Sequence, residues 1–380
     1  MAVQIVDLDC LESEKAKDDD VVKLETERWL KQGVIAPPIW STPLEPLQLA
    51  TVEAYEDLAL SFELTVQQLL PEHHYNTVGN FIRFYGDYRK GQEWNLRHFY
   101  EQYIPAIVEE EYTCVGLGLE LITRLRELNQ TVASSLNLVS CEESIEDPAG
   151  YLERGPCETS DKEHVLVCMK VEIAGRKGVL LLDPGYHVAR VVTVMEDNAY
   201  PHTGWFTQTN ESWVKREYRY FFPENTMNYV IWEVKETRGT TVNSYQNLIY
   251  VARPFENAVE VTEKRNLVYN FKSWLSRNIK GEVVAGVYFA VPKNNSGAFT
   301  IICTDSNSNS QRVRLTFADF LQHKEFDATE VEVMEMCGKQ LDLLPATFQE
   351  LLSTVAGILA DSDFILQLLD INKEINEMCP

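Results

Sequence analysis

The chain predicts an α+β protein with a helical N-terminal region, a central β-barrel, and a mixed segment that ends in further helices. Three observations carry that expectation. Apolar residues recur at helical spacing up to about Leu128. From His164 the pattern changes to short β-branched and aromatic runs broken by Gly and Pro. Residues 345–378 then return to helical spacing, with Phe348, Leu351, Leu352 and Val355 on one stripe and Phe364, Leu368, Ile371 and Ile375 on another.

Taken in order, residues 1–50 read as an acidic arm. A helix is expected from Asp20 to Gln32, with Asp18 to Asp20 at its positive end. The Pro-rich stretch from Ala36 to Pro46 reads as a linker or an irregular arm wrapping the body. Residues 51–140 form the helical region, punctuated by Pro71, Gly79, Gly86, Gly91 and Pro105. Within it, Leu117, Leu121, Ile122, Leu125 and Leu128 make one apolar stripe, Cys114 lies in the first turn, and Asn129 is the stop. The stretch 140–163, acidic and carrying Pro148, Gly150, Gly155 and Pro156, reads as a surface loop.

Residues 160–260 supply the barrel. His164–Ile173 and Val179–Leu182 are nearly continuous in apolar residues, as in a hairpin buried on both faces. The glycines favour a turn near Gly175–Arg176, which would set His187, rather than Asp183, opposite His164. Residues 261–344 begin with a helix expected over Asn266–Arg277. Strands follow at Gly286–Val291 and Ala298–Thr304, then a polar hairpin tip at Asn307–Ser310, a last strand and a helix from Thr316 to His323. Residues 345–380 are a helical hairpin.

Composition narrows the function classes. A length of 380 residues allows a sizeable core, and 45% hydrophobic with 24% charged residues argues against disorder. The net charge of −24 repels phosphate backbones and anionic lipid, so neither nucleic acid nor membrane is an expected partner. Met1 to Cys10 lack a basic, apolar leader pattern, and no uncharged apolar run reaches about 18 residues, which points to the cytoplasm. Eight cysteines without CxxC spacing then read as thiols, with no metal site expected. His73 and His74 are adjacent and point apart, which does not suit a metal.

The chemistry resides in the order Cys114, His164, Asp183. A thiol becomes a nucleophile at a helix N-terminus or beside an imidazolium, and Cys114 has the first setting by position. His164 would supply the second, Asp183 would fix the imidazole tautomer, and N–H groups at the helix start would face an oxyanion. Each residue also has an ordinary use: a buried Cys, a structural His, an Asp-Pro-Gly turn. Only their joint order and strand context point to a site.

His164-Val-Leu-Val and Leu180-Leu-Leu-Asp183-Pro-Gly185-Tyr186 resemble the His and Asp segments of the arylamine N-acetyltransferases, within the transglutaminase-like, papain-related Cys-His-Asp group. Cys114 and its helix through Leu128 resemble that family's nucleophile helix. The segments Ile249 to Trp274 and Leu315 to Phe326 resemble its link and its closing strand and helix. The resemblance implies a helical region, a β-barrel and an α/β lid over 261–344. It also implies acetyl transfer from acetyl-coenzyme A through Cys114 to a small-molecule amine. His164 would then be the base, Asp183 its orienter, and Gly185 and Tyr186 the acyl and coenzyme pocket, with His187 narrowing the phosphate approach. The family's Arg-Gly-Gly before the cysteine is replaced by Glu110-Glu111-Tyr112-Thr113, an acidic approach instead of a basic, flexible one. Two alternatives stand beside acyl transfer: a thiol amidase or peptidase on the same triad, and an inactive binding protein with this fold.

Overall fold

The computed structural model describes residues 34–378, apart from 92–93, 158–159, 212–213, 295, 306–308 and 345. The helix expected over Asp20–Gln32 and part of the tip at Asn307–Ser310 lie outside the described residues.

Strand β1 (Leu47–Leu49) precedes α1 (Val52–Glu72), β2 (Tyr75–Asn76), α2 (Thr77–Lys90) and α3 (Leu96–Gln102). Helix α4 (Cys114–Leu128) leads to β3 (Asn137–Glu142) and the short α5 (Pro148–Arg154). Strands β4 (His164–Ile173), β5 (Arg176–Leu182), β6 (Val192–Met195) and β7 (Phe206–Glu211) follow. Next come β8 (Val214–Phe221), β9 (Tyr229–Arg238) and β10 (Thr241–Tyr250). A π-helical turn, Val259–Glu263, runs into α6 (Lys264–Val268). Then come β11 (Phe271–Arg277), β12 (Val283–Ala290), β13 (Ala298–Thr304) and β14 (Ser310–Thr316). Helices α7 (Phe317–Leu321), α8 (Ala328–Gln340), α9 (Thr347–Leu359) and α10 (Ser362–Asn376) follow.

Side chains take over orphan N–H groups where helices begin. Thr51 Oγ1 accepts from Ala54 N at 3.2 Å, Asn76 Oδ1 from Gly79 N at 2.9 Å, and Thr113 Oγ1 from Val115 N at 3.3 Å. No single described helix is long and apolar enough to cross a membrane.

The first sheet runs β6-β5-β4-β3-β10-β9-β8-β7 and is antiparallel, with β1 added parallel to β4. It explains the apolar run at His164–Ile173. Val165, Val167 and Met169 pack with Phe62 of α1 and Leu121 of α4, whereas Leu166 and Cys168 face Tyr218 and Trp232 inside the curl. The second sheet, β14-β13-β12-β11-β2, packs its Phe289 and Phe299 in one core with Phe81 of α2 and with Leu352 and Phe364 of the last helices.

Four expectations change. The central sheet curls into a half-barrel and does not close: β6 and β7 end the hydrogen-bonded path, and Pro201 in the link between them has no N–H for a ladder. The helix expected over Asn266–Arg277 stops at Val268, and Phe271–Arg277 is strand. Its Lys272 is fully buried and donates to Asn266 O at 2.6 Å and Leu267 O at 3.0 Å, so a residue that reads as an outward polar face points inward. Helix α8 was not expected at all; its contribution to the core is only Val333, Met334 and Cys337, a faint stripe in an acidic sequence.

The fourth change concerns 140–163, which is not a surface loop. Glu142 closes β3 and meets the fully buried Lys162 at 2.6 Å. Lys162 also donates to Cys157 O (2.7 Å) and Ser160 Oγ (2.6 Å), while Ser160 Oγ donates to Glu142 Oε2 at 2.6 Å. Two of its acidic residues, Glu142 and Asp161, are buried in ion pairs with Lys162 and Arg265, and these pin the segment at both ends.

Breaking such a buried pair leaves an uncompensated charge, so Lys162→Met is expected to cost about 3–5 kcal/mol in urea unfolding. The double variant Glu142→Gln/Lys162→Met should recover much of that loss. An unchanged midpoint for Lys162→Met would show that the pair contributes nothing to stability.

Candidate active site

Cys114 is the first residue of α4, directly after the capping Thr113. The Thr113 hydroxyl, besides accepting from Val115 N, donates to Glu263 Oε2. Glu263 Oε1 accepts from Asn80 Nδ2 at 2.9 Å, and burial pushes this carboxyl up to about 7. The acidic approach is compensated as well: Arg83 meets Glu111 at 2.7 Å, supplying the positive charge that Glu110-Glu111 seemed to lack.

The β4–β5 hairpin decides whether His164 and Asp183 meet. Ala174 (φ 49°) and Gly175 (φ 79°) form a two-residue turn with both φ positive, the geometry that suits the twist of a hairpin. The register runs from Ile173 opposite Arg176 to Val167 opposite Leu182. Continued further, it sets Asp183 beside Leu166 and Gly185 beside His164. The expected pairing of His164 with His187 is therefore off by two residues, because the turn sits one residue earlier than the glycines suggested. Asp183 becomes a diagonal neighbour of His164, about 7–8 Å away along the backbone and within side-chain reach. His164 Nε2 lies 3.0 Å from Asp183 Oδ2. The other oxygen, Asp183 Oδ1, accepts from Tyr186 N at 2.9 Å, so the carboxylate cannot swing away.

Cys114 arrives from the far side of the hairpin and lies beside His164 across Gly185. A β-carbon on Gly185 would stand 2.8 Å from Cys114 Cβ and 2.9 Å from His164 Cε1, so the contact exists only because residue 185 has no side chain. Burial works against a charged His164. The Asp183 carboxylate, by charge and hydrogen bond, and the Cys114 contact outweigh it, holding the imidazole well above its ordinary value. A protonated imidazole beside a sulfur is the arrangement that thiol nucleophiles use. All three residues are nearly inaccessible, at 3%, 2% and 3% exposure for Cys114, His164 and Asp183.

His187 belongs to a different cluster. It adopts φ 63°, and its Nδ1 lies 3.0 Å from the buried Arg277, whose guanidinium also donates to Pro184 O at 2.6 Å. Burial and then Arg277 hold this imidazole well below its ordinary value, so it is neutral and helps to brace the 183–187 turn. Tyr186 packs edge-on against His164 at 4.6 Å and donates its hydroxyl to Glu143 Oε1.

A cavity of about 90 Å³ opens beside His164, Gly185, Tyr186 and His187. Glu143, Glu163, Arg265 and Asn266 complete its polar lining. Of these, Glu143, Glu163 and Arg265 were not singled out from the sequence, and Asn266 was named only in the expected helix and the resembling link. The available signal was adjacency, since Glu163 directly precedes His164. Among the described residues no cluster of three or more His, Cys, Asp or Glu has the arrangement to hold a metal ion. No protein-family model matches the chain, and no curated protein matches it.

Gly185→Ala should displace Cys114 from His164 and slow iodoacetamide alkylation of Cys114 by about tenfold or more, read by peptide mass spectrometry. An unchanged rate would mean that the extra methyl is absorbed elsewhere. The raised His164 pKa also carries a pH signature. Its stabilising contribution is complete below about pH 6.5 and declines as pH rises towards the folded-state value. The Tm of the native chain should therefore fall relative to Asp183→Asn as pH increases from 6 to 9. Parallel Tm curves for the two proteins would remove the linkage.

Proposed function

We propose that this protein is a cysteine-dependent acyltransferase of the arylamine N-acetyltransferase type, with acetyl-coenzyme A as acyl donor and a small amine as acceptor. The observation that carries the reading is the convergence of Cys114, His164 and Asp183 from a helix start, a strand start and a turn. Supporting it, α6, β11 and the link between them contribute Arg265, Asn266, Tyr269 and Phe271 to the cavity wall, the position a lid over the site takes. The cavity suits the acyl and thioester end of such a donor, with the nucleotide end remaining outside.

In this reading the Cys114 sulfur attacks the thioester carbonyl. A new C–S bond forms, the donor's C–S bond breaks, and the departing thiolate takes the proton held by His164. The acceptor's neutral amine then attacks the acyl-cysteine. A C–N bond forms, the Cys114 C–S bond breaks, and the surplus amine proton passes to His164. With Nε2 taken by Asp183, Nδ1 is the nitrogen that serves the sulfur.

Intact-mass analysis after incubation with acetyl-coenzyme A should show one acetyl adduct, absent in Cys114→Ala and discharged by an added amine. His164→Gln should lower the acylation rate by about 10²-fold or more. No adduct from acetyl-coenzyme A or from other short acyl thioesters would overturn the proposal.

A further inference from the structure

We infer that the acceptor at this site is an amine with a second, cationic nitrogen, a short aliphatic diamine in its simplest form, held through that nitrogen by Glu143 and Glu163. This inference rests on the acyl-transfer reading and names its substrate class.

The cavity holds two carboxyls that no cation pairs with among the described residues. Arg265 is committed to Asp161 at 2.5 Å, and His164 to Asp183 at 3.0 Å. Neither Glu143 nor Glu163 has an ion-pair partner among the described residues, yet both line the cavity. Each carboxyl uses one oxygen inside the protein: Glu143 Oε1 accepts from Tyr186, and Glu163 Oε2 accepts from Glu143 N at 3.1 Å. Among the described residues no other residue donates to the second oxygen of either carboxyl, and Glu163 otherwise meets only its own backbone N–H.

Two further observations point to a ligand. The rings of Tyr75, Tyr186, Tyr269 and Phe271 form the remaining walls, and aromatic faces attract ammonium groups. Asn266 Nδ2, on the same wall, is buried without an acceptor among the described residues, a spare donor for an oxygen of the bound acyl group. A neutral arylamine satisfies the rings and leaves both carboxyls unanswered.

Burial pushes both carboxyls up, Glu163 well above its ordinary value, with Asp161 and Asp183 adding repulsion and Arg265 and His164 opposing it. A bound cation therefore displaces protons, and its affinity rises with pH until the ligand itself loses charge. The ligand's second amine, neutral, attacks the acyl-Cys114 carbonyl. The C–N bond forms, the C–S bond breaks, and the surplus proton moves to His164.

Calorimetric titration of the intact protein with diaminopropane tests the inference directly. Binding is expected, weakened about tenfold or more in Glu143→Gln and in Glu163→Gln, and retained in Cys114→Ala. Failure to bind, or binding unchanged in the double Glu→Gln variant, overturns it. Discharge of acetyl-Cys114 separates the two proposals: diaminopropane should act at least about tenfold faster than aniline, with the advantage lost in the double variant. If Cys114 acylates but aniline is as fast, the acceptor assignment fails alone. If the diamine binds but no acyl adduct ever forms, acyl transfer fails alone, and the cation site stands as a binding site.

Discussion

The close approach of α4 to the β4–β5 hairpin across residue 185 governs the rest of the site. A side chain there would occupy the space in which Cys114 Cβ and His164 Cε1 come together. Cores of this density do not yield by the ångström or so that a methyl group demands. The consequence is geometric and chemical at once. The thiol reaches the imidazole from one side of the turn, Asp183 reaches it along the strand, and little room remains for water between them.

Buried ionic contacts hold that arrangement from several directions. Glu142 and Lys162 return the 143–163 segment to the strand it left. Asp161 and Arg265 tie the strand's entry to α6, and Arg277 braces the 183–187 turn from β11. Thr113 and Glu263 join the cap of the Cys114 helix to the π-helical turn. Such contacts seldom add net stability over well-packed hydrocarbon, because desolvation offsets the Coulomb attraction. Their effect here is positional: each permits one geometry, and each joins elements distant in sequence. At the cavity, Glu143 and Glu163 have no ion-pair partner among the described residues, although each accepts an internal hydrogen bond.

Much of the scaffold was legible from local pattern. The helices through Leu128, the Cys114 helix start, the doubly buried strand at His164 and the C-terminal helix pair all follow from periodicity and caps. The misses share a cause. Lys272 and Lys162 are cations turned inward to backbone carbonyls or a carboxylate, and a polar residue with an internal partner looks the same in sequence as one facing water. Position 185 was read as pocket lining; its role as the point of contact between helix and hairpin has no signature beyond being glycine.

The amino-acid sequence by itself determined which groups are available and roughly where each stands on its own element: a thiol on a helix start, an imidazole on a strand start, a carboxylate in an Asp-Pro-Gly turn. It did not determine that they meet. That rested on a single residue of turn placement at Ala174–Gly175, because moving a two-residue turn by one residue shifts every cross-strand pairing by two. Glycine spacing alone is compatible with more than one turn. The tertiary structure chose among them by burying both faces of the hairpin, a condition that a local reading of the chain does not contain.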